Sequence, residues 1–414
     1  MPFSVVVGHW LSQNTIVFFG CLLLSATVNT EDVKFPEVCE HLQEANNSLI
    51  ISEQFKSQTF VPRLSDEQVA DFFYKADDCS RFKTSIFDGW PHRASYETEE
   101  ETQFPIAFSL SVHRDADQVS RLLRLLYRKQ NSYCIHVDRK ASLKYHDAVR
   151  NIGRCFGENV HVLPRGRSVR VIWGRYSILE AVLRCAKLLF HTDTKWRYLI
   201  NLSGQEMPLR TNWEFVSLLK AINGSNIVEY DDFEKFPERS PKRVTSFKWI
   251  KGSVYAAVKR EFVHFVLYNQ RAIAIDDILR REQFRPKHPD ETLYPTLNHN
   301  PDLGAPGACV SARKSIATDP TTWYLARYVM WFGPCLTNYS VRTVCILGLP
   351  DLPHLVNAPH LFANKFHYDF HPAAYDCMEH RLFSKWRQEV ITGKLDPQFD
   401  LDIYAQLQCS RSHL

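Results

Sequence analysis

Between residues 105 and 230, apolar runs of strand type alternate with amphipathic runs of helix type, and no other feature limits the fold of this chain as strongly. The strand runs are short and apolar, whereas the helix runs place apolar residues three and four positions apart. Repeated alternation of this kind is typical of a mainly parallel sheet with helices on both faces. The predicted strands are 106–112, 132–137, 159–163, 196–203 and 226–230. The first predicted helix begins at Asp115, and the later ones cover 143–155, 177–191 and 213–221.

Missing motifs exclude several functional classes. No G-x-G-x-x-G opens the first predicted helix, which argues against a dinucleotide-dependent dehydrogenase, and neither G-x-x-x-x-G-K-[ST] nor G-x-S-x-G occurs. The net charge is only +4 and no run of like charges is long, so nucleic-acid binding is not indicated. At 414 residues the chain is long enough for a complete catalytic domain.

The cysteines and the N-terminus indicate a secreted or lumenal protein. The eleven cysteines include no C-x-x-C pair and no cluster at zinc spacing, so they predict a disulfide framework. The apolar run 16–28 has the length of a signal-peptide core, but joined to the apolar patch 3–11 it reaches membrane thickness. Sequons at Asn46, Asn223 and Asn338 are candidate glycosylation sites, whereas Asn201 lies in a predicted strand, where we expect no modification.

Polar residues follow the first two predicted strands. Asp138 ends the second strand, and Val112 and His113 end the first. Ligands of open α/β sheets bind beyond the carboxyl ends of the strands, so Asp138 is a candidate acceptor of hydrogen bonds from a uracil or a ribose hydroxyl. The alternative is a carboxylate that caps the next turn.

Two isolated cations, Arg342 and Lys365, lie far downstream. Arginine binds phosphate oxygens in a bidentate fork and lysine acts as a point charge, so the pair could neutralise a departing diphosphate. The acidic pairs Asp115-Ala-Asp117 and Asp400-Leu-Asp402 lie at a helix start and near the C-terminus, so we assign no metal site. For either cation alone, a solvated surface residue is the simpler interpretation.

Glu291 ends the segment His288-Pro-Asp-Glu291. A proline followed by two acids is also an ordinary helix start. The functional interpretation is that Glu291 is a general base, which takes a proton from an acceptor hydroxyl as that hydroxyl attacks the anomeric carbon of a sugar. A single base with cations on the leaving group suits a direct, inverting displacement.

Five blocks of this sequence resemble the core 2-type β-1,6-N-acetylglucosaminyltransferases, a branching glycosyltransferase family that includes the I-branching enzymes and, more distantly, protein xylosyltransferases. The resemblance covers roughly Cys79 to Cys377. The blocks include Tyr-Cys-Ile-His-Val-Asp, Asn-Leu-Ser-Gly-Gln-Glu-Met-Pro and Leu-Phe-Ala-Asn-Lys-Phe, and they span 122–140, 196–208, 288–291, 341–348 and 360–366.

The resemblance implies a GT-A-type, Rossmann-like fold without an Asp-x-Asp metal motif, and a reaction that inverts configuration without a metal cofactor. The catalytic glutamate of the family falls on Glu291, and the two cations that replace the metal fall on Arg342 and Lys365. The uridine-contacting positions fall on His113, which follows Val112, and on Asp138, and an aromatic one falls on Trp173.

The resemblance also implies disulfides and an acceptor site. Cys309 and Cys409 are left over and pair either with each other or with a second chain, so a homodimer stays open. On the acceptor side the candidates are Glu229, Lys235, Arg239 and Trp331, although the loop from Trp331 to Arg342 is much shorter than in core 2 enzymes. The implied disulfide pairs are Cys39–Cys377, Cys79–Cys155, Cys134–Cys185 and Cys335–Cys345.

The expected organisation is an N-terminal membrane anchor or uncleaved signal (1–30), a disulfide-linked stem and cap (31–104), a catalytic domain (105–390) and a C-terminal tail (391–414). The hypothesis is a Golgi type II membrane enzyme with a lumenal catalytic domain that transfers GlcNAc from UDP-GlcNAc in β-1,6 linkage to Galβ1-3GalNAc-type O-glycans on glycoproteins. The alternatives are UDP-glucose or UDP-xylose as donor, a secreted carbohydrate-binding relative without activity, and a metal-dependent transferase with a cryptic acidic pair.

Overall fold

A computed structural model describes Cys39, residues 63–74, Cys79, residues 97–281 and residues 288–414. The predicted N-terminal anchor, most of the stem and Asn46 lie outside the described residues. Within the described ranges, no helix combines the length and the apolar character that a membrane span requires.

The centre of the molecule is a five-stranded sheet in the order β3-β2-β1-β4-β6. Its first four strands are parallel, with Ala107 opposite both Ser132 and Leu199, and β6 is antiparallel to β4. This confirms the predicted mainly parallel sheet. The strands are β1 (Ile106–Val112), β2 (Ser132–Val137), β3 (Val160–Val162), β4 (Tyr198–Ser203), β5 (Glu206–Pro208), β6 (Ala257–Lys259), β7 (Arg327–Tyr328), β8 (Ser340–Val341), β9 (Val344–Cys345) and β10 (Phe362–Asn364).

Helices cover both faces of this sheet. Because side chains alternate along a strand, Phe108 of β1 packs into one hydrophobic cluster, with α3, α4, α6 and α11, and Ala107 packs into the other, with α5, α7, α8 and α9. The helices are α1 (Asp66–Tyr74), α2 (Glu99–Gln103), α3 (Ala116–Leu126), α4 (Leu143–Phe156), α5 (Tyr176–Thr192), α6 (Asn212–Ala221), α7 (Arg260–Tyr268), α8 (Gln270–Arg281), α9 (Leu293–Asn298), α10 (Leu352–Asn357), α11 (Pro372–Thr392), α12 (Asp402–Ala405) and α13 (Gln408–Arg411).

The predicted fifth strand, 226–230, was wrong. This segment makes only isolated antiparallel bridges, Ile227 with Ala257 and, just beyond it, Asp231 with Lys251, and the fifth strand of the sheet is β6 instead. Local side-chain bonds compete with sheet pairing directly after this segment, because the carboxylates of Asp231 and Asp232 accept hydrogen bonds from nearby backbone N–H groups.

A small second sheet, in the order β5-β10-β7, lies beyond the carboxyl ends of the central strands. Its interior holds a fully buried ion pair in which Arg327 Nε is 2.7 Å from Glu206 Oε2. The guanidinium of Arg327 lies between the rings of Tyr255 and Phe362, at 4.7 and 4.6 Å from their centroids. Strand β10 ends at Asn364, immediately before Lys365.

Five disulfides tie the described parts together. The four pairs that the resemblance implies are present, and Cys39–Cys377 joins the N-terminal region to α11. The remaining pair is Cys309–Cys409 within the same chain, so these two cysteines do not bond to a second chain. Residues after 400 are further held by backbone bonds such as Leu414 N–H to the Ala308 carbonyl, at 3.0 Å.

Candidate active site

The carboxyl ends of β1 and β2 bring His113 and Asp138 together. Asp138 N–H donates to the Val112 carbonyl at 2.9 Å, which continues the parallel ladder by one residue. One Asp138 oxygen accepts from the N–H groups of Lys140 and Val171, at 2.9 and 3.3 Å. Asp138 therefore caps its turn, as one alternative predicted, while a carboxylate has lone pairs for further donors.

The pKa of His113 is lowered, first by burial of the imidazole and next by the charge of Arg114. Lys365 acts in the same direction and Asp138 opposes it, so both charges lie near His113. Because its protonated form is disfavoured, His113 is a neutral imidazole near pH 7 that can both donate and accept hydrogen bonds.

Arg342 occupies the turn of a tight hairpin between β8 and β9. Arg342 and Thr343 have φ values of 54° and 67°, a left-handed conformation that is costly for a β-branched residue such as Thr343. The hairpin is held by the Cys335–Cys345 disulfide and by pairing of Val344 with Trp331. Strain that surrounding structure maintains at one turn is a common property of functional loops.

Lys365 lies next to this hairpin. Its carbonyl accepts from Leu347 N–H at 2.8 Å, which ties the chain after β10 to the chain after β9. The pKa of Lys365 is lowered, first by burial and next by the charge of Arg342, and the buried Glu206 opposes this. The structure therefore brings the two predicted cations to one place, where they would attract an anion.

Trp173 connects the cations to the predicted base. The Arg342 guanidinium lies over the Trp173 ring, 5.6 Å from its centroid, and the His288 ring meets Trp173 edge-on at 4.6 Å. The indole stays half exposed, so a flat ligand can contact it.

Glu291 ends a short 3₁₀ turn, Pro289–Glu291, that is fixed from two sides. His288 N–H donates to the Gly174 carbonyl at 3.0 Å, and Gly252 N–H donates to the Glu291 carbonyl at 2.9 Å. The Asp290 side chain is buried, and its pKa is raised well above the usual range by burial and then by the nearby Glu291 charge.

Lys251 and Glu229 complete this end of the cleft. The Lys251 ammonium is 3.4 Å from Glu291 Oε2, and both side chains retain only 15% and 20% of their exposure. Burial raises the pKa of Glu229 to about 7, with Asp231 and Glu291 adding to the shift and Lys251 opposing it. Gly252 permits this convergence, because a Cβ there would lie 2.3 Å from the Glu229 carbonyl oxygen.

The four predicted acceptor residues fall into separate places. Glu229 lies beside Glu291. Lys235 is exposed on the segment that runs from Glu229 to Arg239. The Arg239 guanidinium lies over the Phe236 ring, 4.1 Å from its centroid. The ring centroids of Phe236 and Phe332 are 6.4 Å apart, and those of Phe332 and Trp331 are 6.2 Å apart. Arg239 and Trp331 are thus ends of one chain of aromatic contacts, in which Trp331 is 52% exposed.

Sequence reasoning missed several residues of this site. Lys251 was overlooked because 40 positions separate it from Glu291, and Phe236 and Phe332 because single aromatic residues in loops carry no periodic signal. Asp290 was within a recognised block but received no role. The only sequence signal was the pair Lys251-Gly252, in which the glycine marks a close approach of two backbones.

The acidic residues of the two Asp-x-Asp sequences form hydrogen bonds and an ion pair with groups around them. Asp115 Oδ2 is 2.5 Å from Arg114 Nε, and the buried Asp117 accepts from Tyr368 Oη. Asp402 begins α12, where its N–H donates to Asp400.

Two other groups of potential ligand atoms occur within the described residues. In the group His299, Cys309 and Cys409 the cysteines are disulfide-bonded. The group His288, Asp290 and Glu291 is an ion-paired carboxylate site, since the Lys251 ammonium already lies against Glu291.

A family model described as Core-2/I-Branching enzyme matches residues 106–356. A human protein named beta-1,3-galactosyl-O-glycosyl-glycoprotein beta-1,6-N-acetylglucosaminyltransferase is 33% identical over 371 residues, which cover 81% of each chain. A human N-acetyllactosaminide beta-1,6-N-acetylglucosaminyl-transferase is 33% identical over 314 residues, 69% of this chain and 73% of the relative.

The fold, the site and these matches define an enzyme, a glycosyltransferase that takes a sugar-nucleotide donor and a glycan acceptor. The chain belongs to the Core-2/I-branching enzyme family.

Proposed function

We propose that this enzyme transfers GlcNAc from UDP-GlcNAc, with inversion, to form a β-1,6 branch on an O-glycan such as Galβ1-3GalNAc. One observation carries the proposal: Trp173 contacts both Arg342 and His288, which begins the turn that bears Glu291, and this supports a common site for the cations and the carboxylate. The activities named for relatives at 33% identity support the choice of donor and linkage.

In the proposed reaction, Glu291 removes the proton from the 6-hydroxyl of the acceptor as that oxygen attacks the anomeric carbon of GlcNAc. The new C–O bond forms as the bond to the UDP oxygen breaks, and the electron pair leaves with UDP. Arg342 and Lys365 stabilise the negative charge that develops on the diphosphate, which is a preorganised electrostatic contribution.

The donor nucleotide would bind across the carboxyl ends of β1 and β2. Asp138 and His113 would hydrogen-bond the uridine next to Val112, and the exposed Trp173 ring would flank the base or the diphosphate-bearing part of the donor. On the other side, Trp331 would stack on an acceptor sugar, while Glu229, Lys235 and Arg239 are the polar candidates.

We also propose that the reaction needs no metal cofactor. Arg342 and Lys365 would supply the positive charge beside the diphosphate, and the acids of both Asp-x-Asp sequences are engaged in local bonds. Full turnover in excess EDTA supports this proposal, and loss of turnover that Mn²⁺ restores would overturn it.

The location we propose is the Golgi lumen, with residues 1–30 as a type II membrane anchor. Five disulfides suit an oxidising compartment. Asn223 and Asn338 are exposed and are proposed to carry glycans, whereas Asn201 is buried in β4 with its amide bonded to the Val254 carbonyl.

The experiment that tests the function is a donor panel. The full chain is incubated with UDP-GlcNAc, UDP-glucose or UDP-xylose and an aryl Galβ1-3GalNAc acceptor, and the product linkage is determined by NMR. A β-1,6-GlcNAc product is expected. Transfer from another donor would reassign the substrate, and binding of the acceptor without UDP release from any donor would indicate a carbohydrate-binding protein instead.

A further inference from the structure

Two carboxylates and one ammonium converge around the proposed base, Glu291. Glu291 is contacted by Lys251, at 3.4 Å, and its other oxygen is 3.8 Å from His288 Nδ1. Asp290 adjoins it in the same turn, and the Glu291 charge helps to raise the pKa of both Asp290 and Glu229. The helices that pack on the turn add Arg175 before α5 and the phenols of Tyr176 and Tyr294, whose pKa values are raised by burial.

This convergence opposes what a base requires. A general base must be ionised at working pH, yet burial and neighbouring carboxylates each favour the protonated form. Both effects are visible at Asp290, whose pKa is well above its usual range, and at Glu229, whose pKa is about 7. Lys251 is the cation that lies against the Glu291 carboxylate and opposes the shift at Glu229.

The backbone fixes Lys251 in this position. Lys251 and Asp231 exchange two hydrogen bonds, Asp231 N–H to Lys251 O at 2.7 Å and Lys251 N–H to Asp231 O at 3.2 Å. The next residue, Gly252, donates to the Glu291 carbonyl and passes so close to Glu229 that no side chain fits there. The backbone around Lys251 is therefore bonded both to the segment that carries Glu229 and to the turn that carries Glu291.

We propose that Lys251 is a positioning residue for the general base: its ammonium keeps the Glu291 carboxylate ionised and directed into the cleft, between Glu229 and Asp290. The proposal rests on the proposed function of Glu291. Lys251 is not an anion site for an acidic acceptor, because its charge is already balanced by Glu291 and Glu229.

The first test is the pH dependence of kcat/KM in three variants. Removing the cation in Lys251→Met favours protonated Glu291, so the acid limb of the profile moves to higher pH. An opposite charge at this distance shifts a carboxyl pKa by about 1–3 units, so activity below the limb falls at least about tenfold and recovers as the pH rises. Lys251→Arg retains a cation and keeps the wild-type limb.

A further variant sets the background. Lys248→Met removes an exposed ammonium that lies 3.4 Å from Tyr230 Oη, and it leaves the limb unchanged. A Lys251→Met enzyme that is slower by the same factor at every pH would show that Lys251 only supports the fold, which contradicts the proposal.

A second measurement does not depend on turnover. In the full chain labelled with [5-¹³C]glutamate, the Glu291 carboxyl signal is assigned by its loss in Glu291→Gln and titrated with and without Lys251→Met. The pKa of Glu291 is expected to be higher in Lys251→Met. An unchanged titration would overturn the proposal about Lys251, whereas absence of sugar transfer by the wild type would overturn the proposed function alone.

Discussion

The proposed donor side of the cleft and its proposed acceptor side are built from different kinds of chain. On the donor side, His113 and Asp138 end parallel strands in continuous register, and Arg342 lies in a hairpin tied by a disulfide. On the acceptor side, Glu229 and Lys251 lie on segments joined by isolated bridges, and Trp331 pairs at a single position.

The difference shows how each side is preorganised. Strand ends inherit their positions from the sheet, so the donor side depends on the hydrophobic core. The acceptor side depends on particular contacts instead. Examples are the close approach of Gly252 to the Glu229 backbone and the ring contacts that run from Arg239 to Trp331. Substitutions on the two sides should therefore affect different kinetic parameters.

The largest effect is expected at the carboxylate where the two sides meet. Glu291→Gln should lower kcat by about 10²–10⁴-fold, because an amide cannot accept the acceptor's proton, while UDP affinity is unchanged by calorimetry. The matched control is Glu261→Gln, which alters an exposed carboxylate on α7 and should leave kcat as in the wild type. Retained turnover in Glu291→Gln would dismiss it as the base.

The next largest effect is on the donor side. Arg342→Met and Lys365→Met should each lower kcat by about 10²–10³-fold, because each removes one charge that stabilises the leaving diphosphate. UDP affinity should fall and acceptor KM should hold. Lys187→Met, on the exposed face of α5, serves as the charge control. A clear rise in acceptor KM in either variant would contradict the separation of a donor side from an acceptor side.

A smaller effect is expected on the acceptor side. Trp331→Ala should raise acceptor KM by up to about tenfold, since aromatic stacking contributes about 0.5–1.5 kcal/mol, and donor KM should stay constant. Phe332→Ala, which removes the neighbouring ring, is expected to change acceptor KM less. A rise in donor KM in Trp331→Ala would indicate that this ring contacts the donor and would contradict its assignment to the acceptor side.

The smallest effect on catalysis is expected far from both sides. The double variant Cys309→Ser/Cys409→Ser opens a link across 100 positions and should lose about 2–4 kcal/mol of unfolding free energy, measured by denaturant titration under native disulfide conditions. Its kcat should equal that of the wild type. A large loss of kcat would mean that residues after 400 shape the site.

How much of this could be predicted from sequence follows the same division. The bounds of β1 and β2 matched the predicted 106–112 and 132–137, because a buried parallel strand is a continuous apolar run. The segment 226–230 also contains β-branched and aromatic residues, but Asp231 and Asp232 directly after it accept hydrogen bonds from nearby backbone N–H groups, and the segment forms no strand. Composition alone does not show that competition.

The candidate site divides likewise. The positions of Arg342, Lys365 and Glu291 were available through the resemblance to a known family, whereas Lys251 and Phe332 were not. Their contacts arise from tertiary approach of loops, at Gly252 and at the hairpin after Trp331, and neither approach leaves a periodic pattern.

The central claim is that Arg342 and Lys365 take the place of a divalent ion beneath the donor diphosphate. A crystal structure of Glu291→Gln with UDP-GlcNAc, grown in the presence of Mn²⁺, tests it most directly. The account predicts both side chains within hydrogen-bond distance of diphosphate oxygens and no manganese density on them. A manganese ion bridging the diphosphate to carboxylates, with either cation turned away, would contradict it.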